Sequence, residues 1–270
     1  MGTVVAVANQ KGGVAKTTTV AALAAVLAER GRKVAVIDLD PQGALTWSLG
    51  VEGDGLALSV GDVLLGRCEV SDALLDADGV QLVPARSDLV NAEVELATSD
   101  RPETALRSAL TGMRDRFHWI LIDCPPSLGV LTQNALVAAD EVIIPLQCEA
   151  LGLRSAEHVV AAVRDVQRCS NADLRIRGVI PTMYDKRAYH PREVLRRARE
   201  ELGLPVLAPP VPRSVRVAEA PDLAMSLLVH AGASKPAKAY RALAKELDRS
   251  RRRSSNQGTR SSKGNGRAKK

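Results

Sequence analysis

The chain has 270 residues, 46% of them apolar, which is enough for one large α/β domain with a substantial core. Only 2% are aromatic, so that core must be packed from Val, Leu, Ile and Ala, and a base-stacking platform for single strands is argued against. The formal charge of +6 comes from the C-terminal end: residues 249–270 hold nine Lys or Arg and no acid, and the remaining 28 basic and 31 acidic residues leave 1–248 at −3.

The first apolar run, Thr3 to Ala8, reads as a buried strand and the stretch Thr19 to Arg30 as a helix. Between them lies Gln10-Lys11-Gly12-Gly13-Val14-Ala15-Lys16-Thr17-Thr18. A glycine-rich turn opening a helix gathers backbone N–H groups at the positive end of the helix dipole. Lys16 adds a charge for phosphate oxygens and Thr17 a hydroxyl for a metal, a combination that fits a nucleoside triphosphate with Mg²⁺. The general pattern G-x-x-x-x-G-K-[ST] is not met; the chain carries K-G-G-x-x-K-T-T, with Lys11 as a second lysine. Asn9, Gln10 and Lys11 interrupt the first apolar run, so no signal peptide is visible, and the longest apolar helix is expected to be too short to cross a bilayer. A cytoplasmic protein is expected.

Lys33 to Ile37 reads as a second strand, ending in Asp38-Leu39-Asp40-Pro41-Gln42-Gly43. Carboxylates at the carboxyl end of a parallel strand sit where α/β sheets bind ligands. Leu56 to Gly66 reads as a packing helix, Gly79 to Pro84 as a strand, and Arg101 to Arg116 as a helix with Pro102 in its first turn. Trp119 to Asp123 is a further buried strand of Walker B form, whose Asp123 would hold Mg²⁺ opposite Thr17. Cys124-Pro125-Pro126-Ser127-Leu128-Gly129 follows as a loop able to sense a γ-phosphate. Strands at Glu141–Leu146 and Arg175–Thr182 flank a helix at Leu153–Arg168. This alternation implies an α/β fold, a mostly parallel sheet with helices on both faces, and with the loop motif the chain resembles a P-loop NTPase. The four cysteines form no C-x-x-C pair, so neither a disulfide framework nor a zinc site is expected, and Cys124 reads as a small packing residue.

Lys186, Arg187, Arg192, Arg196, Arg197 and Arg199 crowd one helix and the loop before it. Ser234 to Arg249 reads as a closing helix. The chain is thus divided into a nucleotide-binding domain, 1–248, and a basic tail, 249–270, expected to be disordered because it has almost nothing to bury. That tail reads either as an electrostatic arm or as a solubilising segment.

The loop, D-L-D-P-Q-G and I-D-C-P-P-S-L-G together resemble the ParA/Soj branch of the ParA/MinD ATPases over residues 3 to 248. The usual family form has glycine at Ala15; alanine is small and allowed wherever φ is negative, so a loop of ordinary shape is expected. The resemblance implies ATP and Mg²⁺ as ligands, held by Gly12, Gly13, Val14, Ala15, Lys16, Thr17 and Thr18. Lys16 is expected on the β- and γ-phosphates, Thr17 with Asp123 on the metal, and Thr18 on the α-phosphate. It further implies that Asp40 acts on the attacking water, that Lys11 reaches the phosphates of a second copy, and that Pro212 and Arg213 contribute to the nucleotide contact. The family asparagine there is Ser214 in this chain.

The implied protein is a slow, partner-stimulated ATPase for chromosome or plasmid segregation. ATP would glue a homodimer that binds double-stranded DNA without sequence preference, through residues 186–199 and the tail. A ParB-like centromere-binding partner and a nucleoid-associated location follow. The alternative is a MinD-like or orphan ATPase positioning another cargo; the tail has charge but no apolar face, so stable membrane insertion is not expected. A cluster-carrying reductase on the same fold would need cysteines placed to bridge two subunits.

Overall fold

The computed structural model describes residues 1–264. Seven strands form one sheet in the order β3-β4-β2-β5-β1-β6-β7. The strands are β1 (Thr3–Val7), β2 (Val34–Asp38), β3 (Leu75–Ala77), β4 (Val80–Val83), β5 (Trp119–Asp123), β6 (Glu141–Gln147) and β7 (Arg175–Thr182). All neighbours pair in parallel except β3 with β4. The helices are α1 (Lys16–Glu29), α2 (Ala44–Ser48), α3 (Val60–Leu64), α4 (Leu89–Ala97), α5 (Ala105–Ala109), α6 (Val130–Ala138), α7 (Ala150–Cys169), α8 (His190–Glu200), α9 (Val215–Asp222), α10 (Leu227–Ala231) and α11 (Lys235–Gly264).

Side chains alternate across each strand, so every central strand feeds two cores. Val4, Ala6, Ala35, Ile37, Ile120 and Ile122 join the core covered by α3 to α8. Val5, Val7, Val34, Val36, Trp119 and Leu121 join the core covered by α1, α10 and α11. Strands buried on both faces are near-continuous apolar runs, which is why they are conspicuous in the sequence.

One expected helix is corrected. The segment Arg101 to Arg116 is not one helix: a 3₁₀ turn at Pro102–Thr104 precedes a short α5. The short strand β3, beyond the expected strands, pairs antiparallel with β4 across Asp78 and Gly79, both at positive φ (52° and 75°), the geometry that suits an Asp-Gly hairpin turn. The helix α11 continues to Gly264, into the segment expected to be disordered from residue 249. A helix already docked extends without a new nucleation cost, and Arg251 stacks 5.8 Å over the Trp119 ring. Residues 265–270 of the expected tail lie outside the described residues. The packing helix near Leu56 is α3, and its Ser59 and Asp62 form a capping box.

Candidate functional site

The strand register brings the expected residues to one rim. β5 lies between β1 and β2, with Val7 and Asp38 each opposite Asp123. The loop after β1, the carboxylate ending β2 and the carboxylate ending β5 therefore meet at the carboxyl edge of the sheet, where ligands of open α/β sheets bind. Gly12, Gly13, Ala15, Lys16, Thr17, Thr18 and Asp40 line a cavity of about 420 Å³ there, closed by Pro126, Thr182, Met183, Val211, Pro212, Arg213, Ser214, Val217 and Tyr240. Val14 does not line it: its side chain is buried in the core, and its carbonyl accepts from the Thr182 hydroxyl at 3.0 Å.

Gly13 sits at φ 71°, a conformation that favours glycine. Ala15 differs from expectation. It stands at φ 68°, ψ 39°, in the left-handed region, not at negative φ. The loop keeps the path a glycine would take, and alanine there costs about 1 kcal/mol.

Lys16 is buried, and burial pulls its ammonium below the ordinary lysine range, with Asp123 opposing that shift. Thr17 Oγ1 donates to Asp123 Oδ2 at 2.7 Å. The other Asp123 oxygen, Oδ1, is buried with no hydrogen-bond partner among the described residues. Burial raises Asp123 well above the carboxylate range, and the neighbouring Asp38 raises it further. Asp38 is also wholly buried and pushed up to about 6 by burial, although it accepts from Thr46 N (2.9 Å), Thr46 Oγ1 (2.8 Å) and Asp40 N (3.1 Å). An orphaned oxygen, a hydroxyl and crowded carboxylates are a hard-oxygen donor set that suits a hydrated Mg²⁺. Cys124 beside them is buried, and burial pushes its thiol far up, which fits packing and not nucleophilic chemistry.

Lys11 turns away from the cavity. Its Nζ donates to Gln147 Oε1 at 2.8 Å and pairs with Glu149 Oε2 at 2.9 Å. Gln147, Glu149 and Tyr240 carry no signal in the sequence because each lies far along the chain from the motif it serves, and Thr46, though near Asp38, sits in a short helix outside any motif. Of the basic group, Lys186, Arg187, Arg192, Arg196 and Arg199 are exposed and Arg197 is half-buried. Arg196 pairs with Glu193 and Glu200, and Arg197 with Glu201; Lys186, Arg187, Arg192 and Arg199 make no ion pair among the described residues.

A family model described as AAA domain matches residues 2–176. The sporulation initiation inhibitor protein Soj of Bacillus subtilis is 39% identical over 92% of this chain and 98% of its own. The chromosome partitioning protein ParA of Caulobacter vibrioides is 40% identical over 90% of this chain and 93% of its own. The chain belongs to the Soj/ParA family. A solved structure of cobyrinic acid a,c-diamide synthase from Mycobacterium smegmatis, with bound ATP analog and magnesium, shares 48% identity with this Soj/ParA chain. It covers 92% of this chain and 95% of that one, with a TM-score of 0.82. No helix among the described residues is long and apolar enough to cross a membrane.

Proposed function

We propose that this chain is an ATP-operated switch for segregating DNA. The observation that carries the reading is the convergence of the loop lysine, the loop threonine and the strand-end aspartates at one rim, with Thr17 Oγ1 2.7 Å from Asp123 Oδ2. ATP fills the cavity with its phosphates on the loop. Lys16 and the loop N–H groups bind the β- and γ-phosphate oxygens, and Thr18 the α-phosphate. Thr17 and Asp123 would hold Mg²⁺. The bound ion neutralises charge on the phosphate oxygens. Asp40, half-buried at the cavity wall, orients the attacking water. Pro212 and Arg213 close the cavity on its far side.

Lys11 belongs in this reading to the neighbouring copy's phosphates. A cation supplied in trans stabilises the transition state only when two copies meet, so ATP joins the homodimer and hydrolysis parts it. The exposed cations of the α8 region supply the surface for double-stranded DNA. They are tied to the nucleotide by chain continuity: Thr182 and Met183 line the cavity and Lys186 follows within four residues. A ParB-like partner would stimulate turnover and anchor the cargo, which fits a nucleoid-associated location.

The test is a pair of variants in full-length protein. Lys11→Ala is expected to retain ATP binding and lose ATP-dependent dimerisation in analytical ultracentrifugation. Asp40→Ala is expected to form the ATP dimer and hydrolyse at least tenfold more slowly. Normal ATP-dependent dimers from Lys11→Ala would overturn the trans role. Two control arms address other readings. Flotation with anionic liposomes and ATP would favour a MinD-like surface ATPase, and ATP use coupled to amide formation on cobyrinic acid would favour the synthase named for the M. smegmatis relative.

A further inference from the structure

The loop ends in an alanine held where a glycine would rest, and one hydrogen-bonded chain accounts for how it is held. The Ala15 carbonyl accepts twice, from Thr19 N at 3.0 Å and from Thr19 Oγ1 at 2.6 Å. A carbonyl can only accept, so the single Thr19 hydroxyl proton is committed to Ala15. Tyr240 places its phenol oxygen 3.0 Å from Thr19 Oγ1, and must therefore be the donor. The polarity of the chain is fixed: Tyr240 to Thr19, Thr19 to Ala15. Tyr240 and Thr19 are both wholly buried, so water offers neither an alternative partner. Burial also pushes the phenol up to about 12, which keeps its proton in place.

We propose that Tyr240 is a positioning residue for the phosphate-binding loop, acting through Thr19 on the strained Ala15. Donation by the phenol polarises the Thr19 hydroxyl and strengthens its bond to the Ala15 carbonyl. In a trans peptide the carbonyl and the following N–H point in opposite directions. Pinning the Ala15 carbonyl against α1 therefore aims the Lys16 N–H back toward the loop's cradle. Glycine at position 15 would adopt the left-handed turn unaided; alanine depends on the clamp. The tie spans 221 positions of sequence and comes from α11. The fit of the loop to phosphate is thus set in part by a residue near the other end of the chain.

The proposal rests on the loop being the ATP loop, and the test separates the two. Affinity for a fluorescent N-methylanthraniloyl ATP with Mg²⁺ is measured for four full-length proteins: wild type, Tyr240→Phe, Ala15→Gly and the double variant. Tyr240→Phe removes only a hydroxyl; thermal melting of each nucleotide-free protein checks that the fold persists. Tyr240→Phe is expected to weaken binding about fivefold when Ala15 is kept and less than twofold when it is combined with Ala15→Gly. Equal losses in both backgrounds, or none in the first, would overturn the relay while leaving ATP binding standing. A wild type that does not take up the probe would overturn the nucleotide reading and the relay with it.

Discussion

To serve a second copy in the proposed way, Lys11 must leave one partner to reach another. Within a single chain its ammonium is paired with Glu149, whose side chain is 55% exposed. A pair so open to water is worth no more than about 1 kcal/mol, so it would weaken the proposed dimer without preventing it. Glu149→Gln is expected to tighten the ATP-dependent dimer by at most about fivefold, read from sedimentation across a concentration series. Asp38 has a different sensitivity. Burial raises its folded value to about 6, above the ordinary carboxylate value of 3.8, and Asp123 shifts in the same direction. Between those two values the folded chain binds more protons than the unfolded one, so stability falls as pH rises through this window and levels off above it. Comparing metal-free wild type with Asp38→Asn isolates the contribution: the wild-type melting temperature should drop more steeply from pH 4 to 6. Added Mg²⁺ should raise the wild-type melting temperature more at pH 7 than at pH 5, because the cation needs the ionised carboxylates.

At the scale of elements, what was legible in the sequence was what is buried on both sides. The parallel strands β1, β2, β5, β6 and β7 are apolar runs with few rivals for their interpretation, and the loop and strand-end aspartates are punctuated by glycine and proline. The partners that hold the site were not legible. Thr46 reaches Asp38 from the short helix α2, and Tyr240 reaches Thr19 across the domain; only the fold brings them together. Ala15 departs from expectation because a negative φ is the default for alanine, and nothing in its sequence neighbourhood reports the left-handed turn. β3 was signalled by Asp78-Gly79 but is only three residues long. One strand carries a sharper constraint. Gly178, at φ 145° beside the bulge between Val142 and Ile143, would place a Cβ 2.5 Å from the Pro205 carbonyl oxygen. Gly178→Ala is expected to cost about 2 kcal/mol, seen as a lower denaturation midpoint in urea.

Across the whole molecule, nucleotide and basic surface are joined by two routes. β7 runs from the cavity into the α8 region, and α11 runs from Tyr240 into the arginine-rich segment. Arg251 is built into the body, donating to Thr3 Oγ1 and the Met1 carbonyl, so a truncation that spares the domain begins at Arg252. That cut removes seven basic residues. If all of them touch phosphate, the log–log salt slope of duplex binding should flatten by up to about 6. An unchanged slope would assign the segment to solubility alone.

The two borders of the sheet bear on how copies can associate. At one border β3 offers only three residues; at the other, Val179 of β7 already exchanges hydrogen bonds with Pro205 and Leu207. Neither margin presents a long open ladder for a neighbouring chain to extend. In the proposed dimer contact falls on the loop-bearing rim, where a two-fold pairing covers the same patch on each copy. If copies pair there, growth should stop at two, and no fibre should form even when the chain is abundant.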